Sequence, residues 1–320
     1  MPLPQLVNRS NERFEQEQQA GFSPFSLKNG LEGESAIPLQ QLVDHFNDRF
    51  EKEHHSGFRP FIVEKGLVSG LFGPIRIGSV FLPIRHFANN DSIAGHAVQL
   101  SVSPYNDGLQ DEQVGELGHL LSTIQQPADF QSIINLDRLC RTVHMLNYLP
   151  YAHCGSVLFL DVDPRHIVGV KQDHGAYFEE IIVKCGLATK NIVISMAVNS
   201  FYALHHAQLL EGLSNYRQRG YQIALNIGHL HSAKGLADFV AKLSPKYLRV
   251  NMPDTGNPDT EIVWPSALSA LKDLQGLVGG QTILQQVNRK EQAAIASELD
   301  FDLVQGGYYD KLSEDYLRCM

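Results

Sequence analysis

The sequence contains few cysteines, and none of them form a paired motif. Four are scattered along the 320 residues, at Cys140, Cys154, Cys185 and Cys319. No Cys-x-x-Cys pair occurs, which argues against the common zinc and redox sites. The spacing therefore predicts reduced structural thiols rather than disulfides.

Long apolar runs are also missing. The most apolar early segment, residues 67–84, is interrupted by Arg76. No stretch reaches the roughly 18 uncharged apolar residues of a membrane span. The amino terminus lacks the apolar core of a secretory signal. We therefore expect a cytoplasmic protein without membrane association.

Positive charge is in deficit. Lysine and arginine total 26 against 35 acidic residues, a formal net charge of −9. This balance disfavours an extended basic surface that would follow nucleic-acid phosphates, so we expect no nucleic-acid partner. The length allows one large α/β barrel or two ordinary domains.

A tandem repeat occupies the first seventy residues. The segment QLVNRSNERFEQEQQAGFSPFSLKNGL aligns with QLVDHFNDRFEKEHHSGFRPFIVEKGL, which gives copies at about residues 4–31 and 40–67. The second copy places apolar residues at helical spacing, namely Leu42, Val43, Phe46 and Phe50. Each copy is predicted to be a helix that ends at a glycine and leads into an extended segment.

The extended segment of each copy has the pattern Gly-Phe-x-Pro-Phe. Its phenylalanines are Phe22, Phe25, Phe58 and Phe61. Proline favours extended backbone, and the two rings need a hydrophobic surface to cover them. Two interpretations stay open: an arm, residues 1–67, that packs on its own barrel or pairs two chains, or an element that docks on another protein.

From residue 68 to residue 320 the pattern changes to alternating strands and helices. The strand candidates are residues 79–85, 94–102, 157–163, 191–198, 221–227, 247–252, 282–287 and 301–306. Alternation predicts parallel strands joined by helices, and eight candidates favour a closed (β/α)8 barrel over an open sheet.

The predicted carboxyl ends of these strands, where barrels place their functional residues, are polar but poor in acids. A hydrolase that uses metal-activated water needs several converging carboxylates. Asp161 and Asp163 are the main ones here. With His229 and His231 they could form a transition-metal site, although solvated loop histidines explain the same pattern among 14 histidines.

Six segments, in order over roughly residues 79–312, resemble the EAL domain family, the bacterial barrels that hydrolyse cyclic di-GMP. FDLVQGGYYDKL is similar to the family's D-x-V-Q-G-Y-x-F-S-x-P, and RGYQIALNIG to its L-G-x-x-x-A-L-D-D-F-G. VFLPI, LFLDVD, YLRVN and TILQQVNRKEQ resemble Y-Q-P-I, x-V-N-x-S, L-K-I-D and V-A-E-G-V-E-T-x-E-Q. The resemblance implies a TIM-like (β/α)8 barrel of EAL type that pairs as a homodimer.

The family's metal positions fall mainly on residues that are poor metal ligands. They are Ala97, Asp161, Ser195, Asn226, Ile227 and Gln285. The catalytic lysine becomes Arg249, and this arginine cannot serve as a base. The resemblance thus implies no catalytic residues, no magnesium or manganese centre and no other cofactor. A residual ligand pocket would consist of Ser101, Asp161, Arg249, Asn251, Gln285 and Gln305.

These replacements indicate an inactive EAL-like domain that acts through a protein partner in bacterial signalling. The alternative is a sensor that binds cyclic di-GMP without cutting it. Ser101 stands where the family has a phosphate-binding arginine, so that binding is expected to be weak or absent. An active phosphodiesterase is the third interpretation, and it requires metal ligands that the sequence lacks.

Overall fold

The computed structural model describes residues 38–54, 59–73, 75–105, 130–154, 157–170, 173–198, 200–227, 235–252, 271–272, 274, 276 and 278–310. Its helices are α1 (Leu39–His54), α2 (Phe130–Tyr148), α3 (Pro164–Gly169), α4 (Ala176–Lys184), α5 (Ser200–Gln218), α6 (Leu236–Leu243) and α7 (Lys290–Glu298). Its strands are β1 (Phe61–Glu64), β2 (Leu67–Phe72), β3 (Ile75–His86), β4 (Asn89–Pro104), β5 (Val157–Asp161), β6 (Ile192–Val198), β7 (Gln222–Ile227), β8 (Tyr247–Asn251), β9 (Gln281–Gln285) and β10 (Leu303–Val304).

The chain forms two compact units. The first contains the described residues of 1–79, 100–149 and 181–186, and the second those of 80–99, 150–180 and 187–320. The boundary predicted after residue 67 falls within the first unit, after the first residue of β2. The division into an arm and a barrel remains a prediction from the sequence.

The first unit is built on a short antiparallel hairpin. Strands β1 and β2 pair from Phe61 opposite Gly70 to Glu64 opposite Leu67. Lys65 and Gly66 make the turn with φ of 52° and 80°, the left-handed conformation that suits a tight hairpin. Helix α2 packs against β2, and its Asn147 accepts from the backbone N–H of Val68 at 2.7 Å and donates to the Val68 carbonyl at 2.8 Å.

The second unit is a closed barrel, which confirms the predicted fold. The eight strands β3 to β10 pair in sequence order, and an additional pairing of β3 with β4 alongside that of β3 with β10 closes the ring. Strands β4 to β10 pair in parallel with one another, as predicted. Strand β3 differs because it runs antiparallel to β10. The connection from β3 to β4 at residues 87–88 is a short turn, and such a turn allows only antiparallel pairing.

One residue from each strand forms the central layer of the barrel. The layer consists of Ile84, Ala97, Phe159, Val193, Ala224, Tyr247, Ile283 and Leu303, all buried. Because strand side chains alternate between faces, the residue two positions later on a strand also points into the barrel. The apolar layer therefore supports a second layer at the carboxyl ends of the parallel strands.

The helices do not include a membrane-spanning candidate. Over the described ranges, no helix is both long enough and apolar enough to cross a bilayer.

Candidate functional site at the barrel mouth

The layer above the apolar core is polar at every parallel strand. Counting two residues on from each core position gives Gln99, Asp161, Ser195, Asn226, Arg249, Gln285 and Gln305. We call this set the mouth layer. Six of the predicted vestigial or pocket residues are thereby placed on one face. Gln99 is a seventh member that the sequence analysis did not identify as a site residue. Only the two-residue alternation from Ala97 would have revealed it.

Arg249 is the central cation of the mouth layer. Its side chain is 4% exposed, and its Nη1 donates to Asp161 Oδ1 at 3.0 Å and to Ser195 Oγ at 2.6 Å. The guanidinium carbon lies 5.6 Å from the centroid of the Phe159 ring, within the range of a cation–π contact. Strands β5, β6 and β8 thus converge on one buried positive charge.

The remaining donors of Arg249 face Gln285. With its amide oxygen turned toward the guanidinium, Gln285 accepts from Arg249 Nη2 at 2.5 Å and from Nε at 3.2 Å, and its amide nitrogen donates to Asn251 Oδ1 at 3.2 Å. This orientation is the chemically sensible one because it sets acceptors against donors. The same Gln285 oxygen lies 2.8 Å from the side-chain amide of Gln305, so the cluster reaches the residue that follows β10.

The charge balance of the mouth layer does not suit a divalent cation. Its one carboxylate is Asp161, which is 65% exposed and already paired with Arg249. Within the described part of the chain, no group of three or more His, Cys, Asp or Glu residues is arranged to hold a metal. Magnesium and manganese need several oxygen ligands, and a neighbouring guanidinium opposes them electrostatically. The donor set therefore does not fit the metal centre of an EAL phosphodiesterase.

Two predicted vestigial positions lie away from the mouth layer. Ala97 belongs to the apolar core layer, where its methyl group is buried. Ile227 is fully buried, and because it follows Asn226 directly it faces the outside of the barrel wall. Ser101 is exposed and lies in the first unit, whereas the mouth layer lies in the second.

Asn226 leaves an acceptor available at the mouth. Its Oδ1 is buried and has no hydrogen-bond partner among the described residues. In the register of β7 and β8 it lies directly opposite Arg249. A buried carbonyl without a donor is costly, so this oxygen suits a bound water or a ligand N–H group.

Asp163, the second acid of the predicted pair, has a local structural role. Its Oδ1 accepts from the backbone N–H of Arg165 at 2.8 Å, which caps the start of α3. Its Oδ2 also accepts from Arg165 Nη2 at 2.7 Å. His229 and His231, the other members of the predicted transition-metal set, lie outside the described residues.

One of the four phenylalanines of the predicted arm lies among the described residues. Phe61 opens β1 and is 7% exposed, so its ring is part of the core of the first unit. Phe22, Phe25 and Phe58 lie outside the described residues.

The structure describes the thiols of two of the cysteines. Cys140 and Cys185 carry free thiols. Burial raises the pKa of each thiol to about 12, and Asp137 adds to the effect at Cys140. Such thiols are poor nucleophiles at neutral pH, as expected for structural cysteines.

Comparison with known proteins supports the fold through solved structures alone. No family model and no curated protein matches the sequence. The chain is similar to the EAL-domain protein YkuI of Bacillus subtilis, solved with substrate c-di-GMP and calcium, with 17% identity, a TM-score of 0.51, and coverage of 72% of this chain and 54% of YkuI. It is similar to Klebsiella pneumoniae BlrP1, solved as a manganese/c-di-GMP complex, with 11% identity, a TM-score of 0.56, and coverage of 77% and 58%.

A third similar structure is the EAL domain of Mycobacterium smegmatis DcpA. It shares 15% identity with a TM-score of 0.51, and the match covers 73% of this chain and 91% of that domain. The chain thus spans little more than half the length of YkuI and BlrP1 but nearly all of an isolated EAL domain. The barrel is therefore an EAL-like TIM barrel in fold.

Proposed function

We propose that this chain is a catalytically inactive EAL-like domain that acts as a protein-interaction module in bacterial cyclic di-GMP signalling. The observation that supports this most directly is the buried Arg249, bonded to Asp161 and Ser195 at the mouth of the barrel. A fixed organic cation thus lies among residues that the resemblance to the EAL family aligns with its metal ligands.

Hydrolysis of a phosphodiester requires an activated water. In metal-dependent enzymes the cations lower the pKa of the bound water to about 7 and stabilise the transferring phosphoryl group. The mouth layer offers Asp161 as its one carboxylate, and arginine does not release its proton to act as a base. The side chains present can donate hydrogen bonds and hold charge, but none supplies the missing nucleophile.

A hydrolysis assay tests the loss of catalysis. Purified chain is incubated with cyclic di-GMP and either Mg²⁺ or Mn²⁺, and Asp161→Asn serves as the matched control. We expect no linear dinucleotide from either protein. Metal-dependent product from the unaltered chain that disappears in Asp161→Asn would overturn the proposal, because the product would then come from this site.

The second candidate is a cyclic di-GMP sensor, and the free Asn226 Oδ1 is the observation that favours it. An unpaired buried acceptor suits a donor on a nucleobase. The phosphates would find few hydrogen-bond donors, because Arg249 already donates to Asp161, Ser195 and Gln285. Titration calorimetry with and without Mg²⁺ distinguishes the candidates: a tight, metal-independent isotherm that Asn226→Ala weakens supports the sensor, and a flat trace removes it.

Affinity capture from the native host tests the interaction role. A truncation at residue 68 would be unsuitable as bait because it removes Phe61, which is buried in the first unit. A chain lacking residues 1–36 keeps α1 and β1 and is the better comparison. We expect the full chain to recover a partner reproducibly. If a bait with a disrupted mouth layer, Arg249→Ala, recovers the same partner, the interaction uses another surface of the protein.

A further inference from the structure

The described residues of the second copy, 38–54 and 59–67, form one hydrogen-bonded module in the first unit. Helix α1 and strand β1 are joined by Asn47, whose Nδ2 donates to the Phe61 carbonyl at 2.7 Å and whose Oδ1 accepts from the Phe61 N–H at 2.9 Å. Both residues are buried. We call residues 38–67 the resident module.

The resident module contributes a hydrophobic face and an edge strand to the first unit. Leu42, Val43 and Phe46 of α1 are 2%, 1% and 4% exposed. The Pro60 carbonyl accepts from the Leu71 N–H at 2.7 Å, and β1 pairs along β2. Strand β2 is therefore the edge on which the module lies.

The first copy keeps most of the residues that hold this module together, with Ser10 in place of the buried Phe46 as the exception. The offset between copies is 36 residues, as from Leu6 to Leu42. The identical pairs at buried or helix-starting positions are Pro2 and Pro38, Leu6 and Leu42, Val7 and Val43, Asn11 and Asn47, Pro24 and Pro60, and Phe25 and Phe61. The first copy has Asn29-Gly30 where the resident module has the turn residues Lys65-Gly66. Asn-Gly strongly favours a two-residue hairpin turn.

The copies differ mainly at exposed polar positions. Arg59 pairs with Asp48 at 2.8 Å in the resident module, whereas the first copy has Ser23 and Glu12 at these positions. Outward positions diverge freely, whereas those that join α1 to β1 are retained. This is the pattern expected of two segments that fit one receiving edge.

We propose that residues 2–31 are a spare copy of the resident module and occupy the edge of β2 in the same chain when residues 38–67 leave it. Both segments precede Val68 on one chain, so the spare copy is present at high effective concentration. Looping out the intervening residues adds little to the free-energy cost of the exchange, since the entropic cost of loop closure grows only with the logarithm of loop length.

Two features favour the resident module over the spare copy as the segment that pairs with β2. Phe46 is buried where the spare copy has Ser10, so the spare copy covers less apolar surface. Arg76 Nη1 donates to Glu64 Oε2 at 2.7 Å, whereas the spare copy would place Lys28 beside that arginine. The exchange thus allows the resident module to leave for another surface while β2 remains covered.

The test uses Phe61→Asp, which places a charge in the core of the first unit. It is made in the full chain and in a chain lacking residues 1–36, and thermal unfolding is followed by circular dichroism. We expect the full chain to keep a cooperative transition with less than half the loss in Tm that the shorter chain suffers. Equal losses in the two chains would overturn the proposal.

Two controls assign the rescue to the spare copy. Phe25→Asp alone should leave the Tm of the full chain unchanged, and Phe25→Asp with Phe61→Asp should behave like the shortened Phe61→Asp chain. Light scattering checks the stoichiometry: a rescued monomer supports exchange within one chain, and rescue only as a dimer overturns it.

A pair of deletions of equal length provides a second measurement. Removing residues 32–67 joins Leu31 to Val68, so that the spare copy replaces the resident module, and removing residues 1–36 leaves the resident module alone. Both should fold, and the first should have the lower Tm. Adding Lys28→Glu should raise the Tm of the first deletion because it restores the partner of Arg76, but should leave the full chain unchanged. An unfolded first deletion beside a folded second one would contradict the inference.

Discussion

Arg249 determines the character of the whole mouth layer. A buried guanidinium needs acceptors around most of its donors, and Asp161, Ser195 and Gln285 supply them from three other strands. The polar residues around Arg249 therefore serve an internal cation. Ser195 and Gln285 are suitable in size and polarity for this neighbour.

Arg249→Ala should lower the free energy of unfolding by about 2–4 kcal/mol, because it removes a buried set of hydrogen bonds and the packing of the side-chain stem. Arg249→Lys should lose less, since it keeps the charge while losing the planar donor geometry. Arg165→Ala is the control, because its pair with Asp163 is partly exposed and worth about 0–1 kcal/mol. Urea unfolding measures all three. Equal losses for Arg249→Ala and Arg165→Ala would show that the mouth network does not stabilise the barrel.

His96 should make stability depend on pH. Burial, with a contribution from Arg85, holds its pKa below the ordinary value of about 6.5. The folded state thus keeps the ring neutral while the unfolded chain binds a proton, so stability is complete above about pH 6.5 and falls as the pH drops toward the lowered pKa. In His96→Gln, the loss of unfolding free energy between pH 7 and 5 should be smaller. A slope identical to that of the unaltered chain would exclude His96 as the source.

At the scale of elements, the packing of β2 against α2 depends on a small residue. A Cβ atom added at Gly70 would lie 2.9 Å from Val143 Cγ2 and 3.3 Å from Leu139 Cδ1, both on α2. The φ angle at Gly70 is not positive, so space rather than backbone conformation requires glycine there. The close contact between α2 and β2 therefore requires a residue without a side chain at position 70.

Gly70→Ala should lower the unfolding free energy by about 1–3 kcal/mol because the helix has to shift to admit the methyl group. Gly78→Ala on β3 is the matched control, since its Cβ would meet Ser101 Cβ at an ordinary 3.6 Å. That substitution should be neutral or slightly stabilising. Chemical denaturation of the two variants provides the comparison, and a harmless Gly70→Ala would mean that α2 adapts without cost.

At the scale of the whole molecule, the barrel is closed by strand pairing around an apolar core layer. The core layer has one apolar residue from each of eight strands, and the mouth layer above it is neutralised by the pair of Arg249 and Asp161. This distribution places the stabilising burial in the wall and centre of the barrel. The fold can therefore persist while the chemistry of its mouth changes.

Chelation should leave the stability of the chain unchanged. Neither EDTA nor added Mn²⁺ is expected to shift the Tm, because binding stabilises a fold only where the folded state holds the ligand. A metal present at 100 times its dissociation constant would add about 2.7 kcal/mol, which differential scanning calorimetry readily detects. A rise with Mn²⁺ that Asp161→Asn removes would reveal a cation site at the mouth and contradict the proposed inactivity.

Much of the fold was predictable because it depends on local patterns. Segments such as residues 221–227 have the apolar character of buried barrel strands, and β7 covers nearly the same residues. The antiparallel course of β3 was missed, although the residues between the predicted strands 79–85 and 94–102 are too few for a crossover helix. The partition into two units was not predictable, because it joins segments far apart in the chain.

The sequence by itself determined the succession of strands along the chain, the shortage of acids at the strand ends and the tandem repeat, since each is a property of neighbouring residues. Only the tertiary structure decided which side chains meet. Arg249 and Asp161 lie 88 residues apart and come together because the parallel strands of a closed barrel end at one rim. Likewise, Asn47 and Phe61 are ordinary residues in the sequence, and their paired hydrogen bonds, visible only in the folded chain, identify what the first copy has kept.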